Sequence, residues 1–276
     1  MHRFFLTLVA VGCALCLPGS AQTPANLRMY VLDCGVLLNR TPTPYGLTSE
    51  QVGGVTELAD PCFLLVHGNQ TLLWDTGIDE VAERRAARFQ KDRLDKPLKA
   101  QLTELGYPPS KITYLALSHL HGDHAGNAND YAASTWIVQK AERDYMFREG
   151  LPDNINSKEF GALQKSKAVV VEGNRDHDVF GDGSVVLIAT PGHSPGHQSL
   201  FVKLAQTGPI VLSGDLYHFP AERTFKKVPA GDFDAAATAA SREKLEAFLM
   251  KTGAKLWIQH DTIGNKTLKK APAFYE

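Results

Sequence analysis

The stretch His119-Leu120-His121-Gly122-Asp123-His124 places three imidazoles and one carboxylate within six residues. Only 10 of the 276 residues are histidine, so a chance cluster in a polar loop is a poor explanation. The run before it, Ile112-Thr113-Tyr114-Leu115-Ala116-Leu117, is apolar, with a β-branched pair and an aromatic, and reads as a short buried strand. A strand ending in His-x-His-x-Asp-His presents these groups on a loop at a sheet edge, where substrate can reach a metal held there. The spacing suits metal coordination.

Working outward, three later stretches end the same way. Ala189-Thr190-Pro191-Gly192-His193 carries His193 past a strand and a tight turn. Ile210-Val211-Leu212-Ser213-Gly214-Asp215 does so with Asp215, and Leu256-Trp257-Ile258-Gln259-His260 with His260. Any one of these alone would be structural. Three buried strands each ending in a metal-competent side chain point to one centre.

The rest of the chain reads as interleaved strands and helices. Strands are expected over Arg28 to Gly35, Cys62 to His67, Gln70 to Asp75, Trp136 to Val138, Val169 to Val171, Val185 to Ala189, Gln198 to Leu204, Ile210 to Ser213 and Leu256 to Gln259. Gly68-Asn69 marks a hairpin turn. Helices are expected over Val81 to Phe89, Pro97 to Leu105, Ala141 to Phe147 and Asp234 to Met250. Short connections, with no repeat and no Pro/Gly/Ser linker, favour one domain from residue 22 to 276.

Residues 1 to 21 stand apart. A basic start (His2, Arg3), an apolar run from Phe4 to Leu17 and small residues before Gln22 read as a secretory signal peptide. The run is short for a membrane span, so no stable span is expected after cleavage. The chain is then exported, to the periplasm or the medium. Cys13 and Cys16 leave with the signal, and Cys34 and Cys62 remain as either one disulfide or two separately buried thiols. With 43% hydrophobic and 21% charged residues the chain can build a sizeable core. Its formal net charge of −1 gives no reason to expect nucleic acid as partner.

Taken together, the histidine cluster and the three strand ends resemble the metallo-β-lactamase superfamily. Within it, Thr190-Pro-Gly-His-Ser-Pro-Gly-His-Gln-Ser-Leu-Phe201 most closely resembles the N-acyl homoserine lactonases, as do Asp75-Thr76-Gly77, His119 through Gly126 and Gln259-His260-Asp261. The resemblance runs from Arg28 to Asp261. It implies an α/β (α+β) fold, a four-layer αββα sandwich with metals at one edge of two facing mixed sheets. It also implies that His119, His121 and His193 bind one metal, that Asp123, His124 and His260 bind a second, and that Asp215 bridges both. Such a set suits two zinc ions, with iron, cobalt or manganese as other candidates. Asp75 would hydrogen-bond a ligating histidine.

The implied chemistry is hydrolysis by a metal-bridging hydroxide of a small-molecule lactone or ester, here N-acyl homoserine lactones, with Asp123 orienting the hydroxide. Zinc β-lactamases generally have Ser or Cys where this chain has Asp215, which disfavours that activity. Thioester, aryl-ester and organophosphate hydrolysis stay open, as does a non-catalytic exported zinc-binding protein. Several lactonases carry a tyrosine three residues past the bridging aspartate, and here that position is His218, preceded by Tyr217. His218 would help hold the substrate oxygen, or Tyr217 would take its place if the loop rotates, or neither touches substrate.

Other candidates rank lower. His197 would satisfy a loop, Asp261 would support His260, His67 would be solvated, and Asp176-His177-Asp178 would lie in an exposed loop. Leu47, Val52, Phe219, Phe225 and Val228 would line an acyl channel or simply pack. The oligomeric state is open, a homodimer included.

Overall fold

The computed structural model describes Met1 and residues 26–276, so beyond Met1 the expected signal peptide, with Cys13 and Cys16, lies outside the described residues. Among the described residues no helix is long and apolar enough to cross a membrane.

The first six strands are β1 (Leu27–Leu37), β2 (Leu58–His67), β3 (Gln70–Trp74), β4 (Tyr114–Ala116), β5 (Thr135–Gln139) and β6 (Ala168–Val171). They are followed by β7 (His177–Asp178), β8 (Val185–Ala189), β9 (Gln198–Leu204), β10 (Gly208–Leu212), β11 (Lys255–Trp257) and β12 (Phe274–Tyr275). One sheet has the order β12-β1-β2-β3-β4-β5-β6, the other β11-β10-β9-β8-β7. Both are mixed: β3 to β6 run parallel, as do β10 and β11, and the remaining neighbours are antiparallel. The helices are α1 (Leu98–Glu104), α2 (Gly122–Ala125), α3 (Lys140–Met146), α4 (Pro220–Thr224), α5 (Ala235–Thr252) and α6 (Thr262–Thr267).

The side-chain alternation of β2 shows how the layers form. Phe63 and Leu65 point at the other sheet and meet Leu187, Leu200 and Val202. Leu64 and Val66 point outward, into a cluster with Leu98 and Leu102 of α1. A strand covered on both faces reads as a continuous apolar run, as β2 does. On the far side, Leu245 and Leu249 of α5 cover Ile188, Phe201 and Val211 of the second sheet. The result is the αββα sandwich. Asp234 caps α5 by accepting the Ala237 N–H at 3.0 Å.

Several local expectations need correction. Val81 to Phe89 is not a helix but two short 3₁₀ turns, Ala82–Arg84 and Ala87–Phe89. The Asp79 carboxylate takes the Val81 N–H and the Arg84 guanidinium, and Arg85 turns inward to donate to the Asp79 and Asp92 carbonyls. These local side-chain bonds outcompete the helical ladder. His67 is not solvated: it stacks on Phe180 at 4.6 Å and meets Asp182 at 2.8 Å. Asp176 and its neighbours form a sheet edge rather than a free loop, with Asp176 accepting from the Ala189 N–H and Lys244. Cys34 and Cys62 form a disulfide between β1 and β2, with Cα atoms 5.7 Å apart.

Candidate metal centre

All seven metal-competent side chains converge where the two sheets meet at one edge. The first sheet contributes His119 and His121 from the loop after β4, and Asp123 and His124 from α2. The second contributes His193 after β8, Asp215 after β10 and His260 after β11. Gly214 makes the bend before Asp215, with φ of +54°. A Cβ there would lie 2.7 Å from the His197 ring nitrogen, so both the conformation and the space require glycine.

The side chains fall into two clusters that share one carboxylate. His119, His121, His193 and Asp215 form the first, and Asp123, His124, Asp215 and His260 the second, with ligand atoms inside each within 4.8 Å of one another. In the first, His119 Nε2 lies 2.7 Å from His121 Nδ1, and His193 Nε2 lies 3.2 and 3.1 Å from those two atoms. Asp215 Oδ2 is 3.4 Å from His193 Nε2. In the second, Asp215 Oδ1 is 3.1 Å from His124 Nε2 and 3.0 Å from His260 Nε2. Metal–nitrogen bonds of about 2.0–2.1 Å put neighbouring ligand atoms roughly 3.0–3.5 Å apart, so most of these separations match the edges of a coordination polyhedron.

The donor atoms themselves fit a cation. His124 Nε2, His260 Nε2 and Asp215 Oδ1 are buried, face one another and have no hydrogen-bond partner, and Asp123 Oδ2 lies 3.8 Å from both ring nitrogens. Buried polar atoms seldom go unpaired, and three around one point imply a charge between them. The opposite ring nitrogens are held from behind. His124 Nδ1 meets Asp75 at 3.0 Å, His193 Nδ1 meets Asp232 at 2.9 Å, and His260 Nδ1 meets the Ala59 carbonyl at 2.7 Å. An acceptor behind the ring fixes the proton on the outer nitrogen and aims the inner lone pair at the centre. Burial, reinforced by neighbouring imidazoles, pushes His119 and His121 well below the usual imidazole range. For Asp215 burial acts upward, but His124, His260, His218 and His119 outweigh it and hold the carboxyl well below the usual carboxylate range.

The remaining candidates separate cleanly. Asp75 does bond a centre histidine, and also takes the Ser118 N–H at 2.6 Å and the Gln259 amide at 2.8 Å. His197 is fully buried, meets Thr190 and accepts the Asp215 N–H at 2.9 Å. It therefore holds the backbone of Asp215 rather than only its own loop. Asp261 does not support His260 but caps α6, accepting from the Ile263 and Gly264 N–H groups. Tyr217 points away from the centre: its hydroxyl donates to Glu246 at 3.1 Å and its ring lies under Arg242. The backbone is extended at Tyr217, so successive side chains take opposite sides and His218 faces inward. His218 Nε2 is 3.1 Å from Asp215 Oδ2.

A cavity of about 360 Å³ opens above the centre, bounded by Leu37, Tyr45, Leu58, Arg88, Phe89 and Asn154 together with the inward-facing groups. Tyr45 packs on the His218 ring at 4.4 Å, and the Arg88 guanidinium covers Phe89 and comes within 4.0 Å of Asp123. Arg88, Asn154 and Asp232 carry no sequence motif, and only the fold brings them to the site. Of the proposed channel residues, Leu47 and Phe219 are core, packed with Leu37 and Leu58. Val52 and Phe219 also border a shallow groove beside His260, Val228 lies in a surface groove with Tyr217, and Phe225 is exposed.

Residues 55–258 match the metallo-beta-lactamase superfamily. The N-acyl homoserine lactonase AttM of Rhizobium radiobacter is 31% identical over 268 residues, covering 91% of this chain and 99% of that protein. AiiA, the N-acyl homoserine lactonase of Bacillus thuringiensis subsp. kurstaki, is 28% identical over 264 residues, covering 90% and 98%. A solved N-acyl homoserine lactone hydrolase with the product N-hexanoyl-L-homoserine at its catalytic metal centre superposes with a TM-score of 0.72 at 25% identity, over 91% of this chain and 100% of that one. Fold, converging donors and relatives agree: this chain belongs to the metallo-β-lactamase superfamily of metal-dependent hydrolases, as a relative of the N-acyl homoserine lactonases.

Proposed function

We propose that the protein is a dinuclear zinc hydrolase that opens the lactone ring of N-acyl homoserine lactones. The observation that carries this reading is the pair of four-residue clusters sharing Asp215 beneath one cavity. His119, His121, His193 and Asp215 would hold one ion, and Asp123, His124, Asp215 and His260 the other. Bound there, two divalent ions would activate water at neutral pH and withdraw charge from a carbonyl oxygen.

The chain's own groups do the rest. The buried Asp123 carboxylate, with Oδ2 beside His124 and His260, would take the proton of the attacking water and return it to the ring oxygen as the acyl carbon–oxygen bond breaks. His218 faces the same space and would hydrogen-bond the substrate oxygen on which negative charge develops. Leu37, Leu58 and Phe89 give that space an apolar wall for the aliphatic part of the substrate. The disulfide favours an oxidising compartment, in keeping with export to the periplasm or the medium.

The test is a pH-stat assay of zinc-loaded protein on N-acyl homoserine lactones beside thioesters, nitrocefin and paraoxon. The expected result is lactone turnover that chelation abolishes and zinc restores. Turnover of another panel member without lactone turnover would remove the substrate assignment and leave the hydrolase.

A further inference from the structure

The first cluster draws its imidazoles from two loops on different sheets, His119 and His121 after β4 and His193 after β8. Their spacing is the spacing of the metal site, so whatever joins the loops sets its quality. One buried side chain, Glu142 of α3, reaches both. Its Oε1 accepts the Leu120 N–H at 2.9 Å, and Leu120 sits between His119 and His121. Its Oε2 accepts the Ser194 hydroxyl at 2.7 Å and the Gly196 N–H at 2.8 Å, just beyond His193. The approach is close. A Cβ on Gly196 would lie 2.5 Å from the Glu142 backbone nitrogen and 2.7 Å from its Cβ, so only glycine lets the loop dock on α3. Glu142 is 3% exposed, and all three partners are donors, which leaves a carboxylate no competing partner in water.

The second cluster is braced differently. Asp75 and Ser118 hold His124, and the Ala59 carbonyl holds His260. Glu142 makes no hydrogen bond to any of these groups. We infer that Glu142 is a positioning residue for the first cluster alone: its carboxylate fixes the distance between the His119–His121 loop and the His193 loop, and so sets the affinity of that site for a divalent ion. The inference rests on the proposed metal occupancy of the first cluster, and not on the identity of the substrate.

The test uses Glu142→Gln, which keeps the side-chain size but turns one accepting oxygen into an amide that faces donors. Metal-free wild type and variant are titrated with Co²⁺ against a competing chelator, following the visible absorption of each bound ion. His193→Ala identifies which step belongs to the first cluster. Glu142→Gln is expected to weaken that step about 10–100-fold and to change its absorption band, with the other step within about twofold. Thermal melting of the metal-free proteins reads fold stability separately. A folded variant in which both steps weaken alike, or neither does, overturns the assignment. If Glu142→Gln does not fold, Ser194→Ala removes one of the three bonds and is read by the same ratio between steps. A wild type that takes no Co²⁺ at the first cluster defeats the metal reading itself, and the role of Glu142 with it.

Discussion

The floor and the wall of the cavity are built on different plans. On the floor, the ring nitrogens of His119, His124, His193 and His260 that face away from the centre each have a partner behind them, and Asp215 is held through its backbone by His197. On the wall, the Tyr45 hydroxyl and the Asn154 amide are bound by no such hydrogen bond among the described residues, although both line the cavity, and Arg88 beside them comes no nearer to Asp123 than 4.0 Å. A centre that must hold cations at fixed spacing needs its ligands locked. A surface that selects substrates keeps polar groups unspent for the ligand. Substitutions on the floor should therefore act on metal and stability, and those on the wall on turnover alone.

The largest effect expected is at the shared carboxylate. Asp215→Asn keeps the shape but removes the charge that both clusters use. Losing one partner of a buried charged set costs about 3–5 kcal/mol, so metal affinity and turnover should fall together by roughly 10²–10⁴-fold. Elemental analysis beside the pH-stat rate checks this, and retained metal with lost turnover would break the division between floor and wall. Next is the brace beneath the floor. The disulfide closes a 28-residue separation, and the Cys34 carbonyl accepts the Ile78 N–H just past Asp75. Replacing both cysteines by serine should lower unfolding free energy by about 3.5 kcal/mol in urea titration.

His218 is the member that crosses the boundary, since it touches Asp215 and lines the cavity. His218→Phe should lower kcat by roughly 10²-fold with both metals retained, as for loss of one donor to a developing oxyanion. Loss of a metal instead would move His218 to the floor. His197 offers a pH-dependent check. Burial, aided by His193, holds it neutral in the folded metal-free protein down to about 3, whereas the unfolded chain protonates it near the ordinary imidazole value of about 6.5. Between those values the unfolded chain binds more protons, so stability is lost as pH falls below about 6.5, by about 1.4 kcal/mol per unit. His197→Gln should flatten that dependence in urea titrations at successive pH values, and an unchanged slope would assign it to other groups. Tyr217→Phe, by contrast, should leave kcat/KM within about twofold, because its hydroxyl serves Glu246 outside the site.

The same division governs what could be read from sequence. The floor was legible because coordination demands particular residue types at strand ends, and His119 to His124, His193, Asp215 and His260 all meet in space. The sandwich was implied by the resemblance to the metallo-β-lactamase superfamily, and apolar runs such as Cys62 to His67, whose two faces are both covered, marked only its buried strands. The wall was not legible. Arg88 sits where a helix was expected, and side-chain bonds from Asp79 and Arg85 decide that segment locally. The choice between Tyr217 and His218 depended on strand phase at one residue, which no motif encodes. Glu142 reads in sequence as an ordinary polar residue of a short helix, since its three partners come from distant loops.

The proposed chemistry needs two cations on that floor to make water reactive toward a lactone. The most direct measurement titrates zinc into chelator-stripped protein and follows bound metal and N-acyl homoserine lactone turnover together. Turnover should climb until two zinc equivalents are bound per chain and then stay level. Binding that saturates at a single equivalent, or full occupancy with no ring opening, would contradict it.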